Sequence, residues 1–220
     1  MNDDDFFRPA AAIFDMDGLL LDTERPALPL WGEAGKTFGW DIDPELVIST
    51  LGVDWTGTRA IFMDELGSDF PFDKIRGEFH RLCVEKFKKS IDLKPGLITL
   101  LDHLSSLKIS LAVATSDPRN SAFDKLAVAG IKDRFNVIVC GDEIIRGKPA
   151  PDIFLLAAEK LCKRPCECAG FEDSPAGLKA LHSAGIRSVF IKDIVMPDED
   201  ILSTVWRQCG DLAEAVELFK

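Results

Sequence analysis

No apolar run in this 220-residue chain approaches the roughly 18 to 20 residues that a membrane span needs. The first residues, Met1-Asn2-Asp3-Asp4-Asp5, lack the positive start of a signal peptide. The expectation is a soluble, cytoplasmic protein with no membrane partner. Positive charge is also scarce: 26 Lys and Arg stand against 37 Asp and Glu, a formal net charge of -11 at pH 7. A surface of that sign repels polyphosphate backbones, so nucleic acid is not an expected partner. Repeats, low-complexity tracts and long Gly/Ser linkers are missing too. The six cysteines, Cys83, Cys140, Cys162, Cys166, Cys168 and Cys209, are not needed as a disulfide framework in a chain with an ample core. Cys162, Cys166 and Cys168 fall as C-x3-C-x-C without paired C-x2-C knuckles, which favours free thiols over a structural zinc site.

At 46% hydrophobic and 29% charged, the chain has the material for one good core. Its length suits one main domain with a smaller insertion. Five short apolar runs predict buried strands: Ala10 to Phe14, Ser110 to Ala114, Val137 to Cys140, Cys168 to Phe171 and Ser188 to Ile191. Such runs suit a parallel sheet covered on both faces. Helical patterns lie between them. Leu97, Leu100, Leu101, Leu104 and Leu107 share one face after Pro95-Gly96, and Pro118 to Ala129, Pro151 to Cys162 and Pro175 to Ala184 follow with helix-compatible ends. The alternation predicts an α/β fold, a doubly wound parallel sheet whose ligands gather at the carboxyl ends of the strands.

From about Glu24 to Leu93 the alternation stops. Pro26 to Phe38, Thr56 to Leu66 and the face formed by Ile75, Phe79, Leu82 and Phe87 read as helices with no buried strand among them. The expected organisation is an α/β core of residues 1–23 and 94–220 with residues 24–93 inserted as a small α-helical cap. A cap beside strand carboxyl ends would cover a bound ligand and exclude water.

Four segments carry candidate chemistry. The first strand runs into Asp15-Met16-Asp17-Gly18, two carboxylates at i and i+2 that are costly together unless a cation or shared proton lies between them. As a bland alternative, these are ordinary turn residues. The second strand ends in Thr115-Ser116-Asp117, where hydroxyls and free N–H groups form an anion cradle or simply cap a helix. Lys148, held between Gly147 and Pro149, is either a solvated lysine or a fixed ammonium at the same edge. Glu172 and Asp173 close the fourth strand as an N-cap or as metal ligands. All four segments fall on the edge where such a sheet binds ligands.

Together these residues resemble the motifs of the haloacid dehalogenase superfamily of hydrolases, in its small-cap subgroup of phosphatases and β-phosphoglucomutases. The likeness rests on Asp15-Met16-Asp17-Gly18 with Asp22-Thr23-Glu24 behind it, Thr115-Ser116, Gly147-Lys148-Pro149-Ala150-Pro151-Asp152-Ile153-Phe154, and Gly170-Phe171-Glu172-Asp173-Ser174-Pro175-Ala176-Gly177. The resemblance implies Asp15 as nucleophile and Asp17 as general acid and base. It implies Mg2+ on the Asp15 carboxylate, the Asp17 backbone carbonyl and Asp173, with Glu172 as a direct or water-mediated partner. Thr115, Ser116 and Lys148 would hold the phosphoryl oxygens, with Asp117 beside them. The substrate is expected to be a small phosphorylated metabolite, a sugar or polyol phosphate, and the protein a monomer or weak homodimer.

The cap departs from the mutase pattern. Ala27 stands where those mutases carry a histidine, and in Gly52-Val53-Asp54-Trp55 the tryptophan replaces a phosphate-binding arginine. Trp55 either stacks on substrate or packs between helices. Both departures favour a phosphatase over a β-phosphoglucomutase-type phosphotransferase. A phospho-accepting receiver domain shares the chemical kit but lacks a helical insertion between its first two strands, and a non-catalytic binder on the same fold would not need all four motifs.

Overall fold

The computed structural model describes residues 7–51, 53 and 55–219. Six parallel strands form one sheet: β1 (Ala11–Phe14), β2 (Ser110–Ala114), β3 (Val137–Val139), β4 (Cys168–Glu172), β5 (Arg187–Ile191) and β6 (Arg207–Cys209), in the order β3-β2-β1-β4-β5-β6. β1 is central and pairs on both sides, Phe14 standing beside Val113 of β2 and Phe171 of β4. The chain therefore leaves β1 in one direction and returns in the other, which opens a crevice at its carboxyl end. The first five strands match the apolar runs to within a residue or two. β6 was not expected from the sequence; it is a three-residue edge strand that, among the described residues, pairs with β5 alone.

Alternation along β1 feeds two layers. Ala12 and Phe14 face one apolar cluster with Leu97, Leu100, Leu101 and Leu104 of α5 (Leu97–Ser106) and Ala122 and Leu126 of α6 (Arg119–Val128). Ala11 and Ile13 face the other, with Ile153, Phe154 and Ala157 of α7 (Asp152–Lys160) and Ala180 and Leu181 of α8 (Pro175–Ala184). Fully burying each of these large side chains stabilises the fold by about 1.5–3 kcal/mol. A last short helix, α9 (Glu199–Leu202), covers Phe190 through Ile201.

Among the described residues between β1 and α5 lie four helices, α1 (Glu24–Thr37), α2 (Pro44–Ser49), α3 (Trp55–Leu66) and α4 (Phe72–Phe87). They bury a core of their own around Trp31, Phe62, Phe70, Phe72 and Ile75. Trp31 stacks on Phe79 with ring centroids 4.4 Å apart and meets Phe62 at 4.9 Å. α2, absent from the sequence expectation, is a single short turn capped by Asp43, whose side chain accepts from Glu45 N. The chain enters and leaves this bundle through one neck. Asp22 N donates to Asp92 O at 2.9 Å, Lys94 N donates to Leu20 O at 3.0 Å, and Leu21 bridges Leu93 in antiparallel register.

Candidate active site

The chain continues β1 for one more residue, because Asp15 N donates to Phe171 O of β4 at 3.0 Å. Gly18 then turns the backbone at φ +85, where a Cβ would stand 2.4 Å from Asp173 Oδ2. Only glycine satisfies both the left-handed turn and the approach of that carboxylate. Thus a strand end and a tight turn bring Asp15 and Asp17 over the tip of β4.

Lys148 reaches the same point from the loop before α7. Its side chain, 7% exposed, donates to Asp15 Oδ1 and, at 2.6 Å, to Glu172 Oε1. Glu172 is fully buried at the end of β4, and its Oε2 accepts from Asp173 N at 3.0 Å, Ser174 N at 2.9 Å and Ser174 Oγ at 3.0 Å. Gly177, in the first turn of α8, makes room for it: a Cβ there would lie 1.7 Å from Glu172 Oε1. Both Glu172 oxygens are engaged. Asp173 differs, since it is 5% exposed and its Oδ1 is buried with no hydrogen-bond partner among the described residues.

The electrostatics follow from this crowding. Burial pushes the Asp15 carboxyl up to about 8, against the pull of Lys148 and with Glu172 and Asp17 adding to the rise. Burial, then Asp193 and Asp17, raise Glu24 to about 7. Asp173 is driven well above the usual carboxylate range by burial and by Glu172, Asp15 and Glu24. Carboxylate oxygens of Glu24, Asp173 and Asp193 lie within 4.8 Å of one another. An all-oxygen donor set that includes an unpartnered buried carboxylate oxygen fits a hard divalent cation such as Mg2+.

Asp17 is held separately. Its Oδ1 accepts from Thr23 Oγ1 at 2.7 Å and from Lys125 Nζ at 2.7 Å. Lys125 also pairs with Asp117 Oδ2 at 3.0 Å, and Ser121 Oγ donates to the same oxygen at 2.7 Å. Thr115 is 2% exposed at the end of β2, with its Oγ1 accepting from Asp117 N at 3.1 Å, while Ser116 is exposed beside it. Asp15, Asp17, Thr115, Ser116, Asp117, Lys148, Glu172 and Asp173 therefore share one edge of the sheet.

Trp55 packs within the helical bundle. At the start of α3 and 53% exposed, its ring lies 6.3 Å from Trp31 and beneath the Arg76 guanidinium at 5.4 Å. Arg59 pairs with Asp73 at 3.7 Å, and Ala27 packs against the core's apolar cluster. Gly52 and Asp54 of the same stretch lie outside the described residues. From the helical bundle, Leu51 lines a cleft with Glu24, Asp173, Ser174, Pro175 and Val195.

Sequence reasoning missed Lys125 and Asp193. Asp193, just after β5, accepts on Oδ1 from Arg25 and Lys94, each at 2.8 Å, and so ties both sides of the neck to the core. For Lys125 a signal existed: Asp117, Ser121 and Lys125 recur at intervals of four, one stripe along α6 and its lead-in. Nothing in the sequence joins Asp193 to Arg25, 168 positions away.

Comparison with known proteins agrees with this geometry. Residues 9–185 match the model of the haloacid dehalogenase-like hydrolase family. The chain is 32% identical over 180 residues to a phosphorylated carbohydrates phosphatase of Thermotoga maritima, covering 82% of this chain and 83% of that protein. It is 31% identical over 189 residues to the fructose-1-phosphate phosphatase YqaB of Escherichia coli, covering 84% and 97%. The crystal structure of CbbY from Rhodobacter sphaeroides in complex with phosphate superposes with a TM-score of 0.79 at 26% identity, over 94% of this chain and 96% of that one. With the acid pair, the buried lysine and the parallel sheet on which they sit, these matches establish that the chain belongs to the haloacid dehalogenase-like hydrolase family, as a phosphatase within it.

Proposed function

We propose that this protein hydrolyses a small phosphorylated metabolite, a sugar or polyol phosphate, with Mg2+ and through an aspartyl-phosphate on Asp15. The observation that carries the reading is the placement of Lys148 between Asp15 and Glu172, beside the unpartnered oxygen of Asp173. The sugar class is supported by the relatives named for phosphorylated carbohydrates and for fructose 1-phosphate.

Asp15, the Asp17 carbonyl and Asp173 would hold the metal, with Glu172 and Glu24 near enough to shape its surroundings. When bound, Mg2+ supplies the positive charge that lets a carboxylate approach a phosphate anion. The remaining steps belong to the chain's own groups. Thr115, the Ser116 N–H and the Lys148 ammonium hold the phosphoryl oxygens. The Asp15 carboxylate attacks phosphorus in line, the ester P–O bond breaks, and the departing oxygen takes a proton from Asp17. Asp17, now a carboxylate, takes a proton from the water that attacks the phosphoenzyme, and Asp15 and phosphate are released.

Hydrolysis is favoured over phosphoryl return to a sugar because Ala27 offers no hydrogen bond to Asp17 and Trp55 no cation for a second phosphate. The test is a panel of sugar, polyol and nucleotide phosphates with Mg2+, followed by phosphate release. Turnover concentrated in the sugar and polyol esters is the expected result. No phosphate from any ester would overturn the reading.

A further inference from the structure

We propose that Lys125 is a positioning residue for the acid/base carboxylate of Asp17, a role that rests on the phosphatase reading above and deepens it. Two donors meet one oxygen: Thr23 Oγ1 and Lys125 Nζ both lie 2.7 Å from Asp17 Oδ1. Fixing Oδ1 aims Oδ2 at the reacting oxygen. The two donors come from different places. Thr23 stands on the neck that leads into the cap, whereas Lys125 belongs to α6, whose Ala122 and Leu126 are fully buried in the core beside β1. Lys125 is itself held, by Asp117 Oδ2 at 3.0 Å, an oxygen that Ser121 also fixes. Its ammonium thus cannot follow the cap.

The consequence concerns which acceptor wins the phosphoenzyme. An acid/base group positioned by the cap works only when substrate has drawn the cap shut, which delays water. One positioned from the core is ready whether or not the leaving group has departed. Lys125 thereby supplies from the core what Ala27 cannot supply from the cap, and water becomes the acceptor of the phosphoryl group.

Two esters separate this role from a general structural one. The p-nitrophenolate group departs without a proton, so with p-nitrophenyl phosphate Asp17 matters only for the attack of water; a sugar phosphate needs Asp17 in both steps. In Lys125→Met, kcat on the aryl ester is expected to fall about tenfold or more, while kcat/KM stays within about threefold and a burst of p-nitrophenolate appears. On the sugar ester, kcat and kcat/KM should fall together. Lys125→Arg should recover most of the loss, because a cation returns to the same place. Binding of beryllium fluoride with Mg2+, read by tryptophan fluorescence, should match the parent, since it reports Asp15 and not Asp17. If Lys125→Met melts far below the parent, Lys125→Gln provides the same comparison with a shorter polar chain.

An unchanged kcat on the aryl ester, or an equal fall of kcat/KM on both esters, overturns the positioning role. Hydrolysis by the parent tests the phosphatase reading by itself, so an active parent matched by Lys125→Met overturns only the role of Lys125.

Discussion

Lys148 Nζ lies 2.6 Å from Glu172 Oε1, both side chains almost wholly removed from water. The same ammonium serves Asp15, so one buried cation answers two buried carboxylates. Breaking such a pair by removing one partner typically costs about 3 kcal/mol or more. Lys148→Met is therefore expected to lower the melting temperature by roughly 6–12 °C for a chain of this size. It should also abolish turnover. Differential scanning calorimetry in EDTA checks the first point, and a shift under about 2 °C would show that the pair does not stabilise the fold.

Asp15→Asn removes the proposed nucleophile but almost no volume. Its expected result is loss of turnover with the circular dichroism spectrum and cooperative melt retained. Activity within tenfold of the parent, roughly 1.4 kcal/mol of barrier, would exclude covalent catalysis by this residue.

The pH dependence of metal-free stability has a definite sign. Asp15 and Glu24 have folded-state values near 8 and 7, both above those of an unfolded chain. Between about pH 4 and pH 8 the folded state holds protons at these groups that the unfolded state has released, so their contribution to stability falls as pH rises. The proposed Mg2+ would bind the charged carboxylates and so compete with those protons. The rise in melting temperature on adding Mg2+ should therefore be larger at pH 8 than at pH 5.5. Equal rises at both pH values would remove these two carboxylates from the metal's surroundings.

Supplied with β-glucose 1-phosphate and catalytic glucose 1,6-bisphosphate, the protein should release phosphate faster than it forms glucose 6-phosphate. Coupled assays for the two products give the ratio directly. Isomerisation in excess would make it a mutase despite Ala27 and Trp55.

Asp193→Ala removes the acceptor shared by Arg25 and Lys94. Amide hydrogen exchange should quicken at residues 20–25 and 91–97 and remain slow in β2 and β4. Unaltered exchange at the neck would mean that its backbone bonds alone hold the cap.

Legibility in the sequence followed burial. β1, β2, β4 and β5 are runs of apolar residues because both faces of the sheet are covered, and such runs stand out. β6 is Arg207–Cys209 at the edge, and only Cys209 is buried, so no pattern marks it. The acid pair, Lys148 and the Glu172-Asp173 step were readable because each closes a strand or opens a helix. The stripe of Asp117, Ser121 and Lys125 marked a face of α6 but not its target, because Asp17 lies 108 positions from Lys125, and Arg25 lies 168 positions from Asp193; only folding makes them neighbours.

The neck has an evolutionary consequence. Its two sides touch through Asp22–Asp92 and Leu20–Lys94, so the chain leaves and re-enters the sheet's layer at one closed point. Closing a longer loop adds only about 0.6 kcal/mol for each doubling of length. Lengthening the loops between the helices above the neck therefore costs the sheet little chain entropy, whereas trimming α1 or α4 would strip Ala27, Cys83 and Phe87 from the apolar cluster under the sheet. Substrate preference can drift with those loops while the chemistry proposed for Asp15 keeps its place on the sheet.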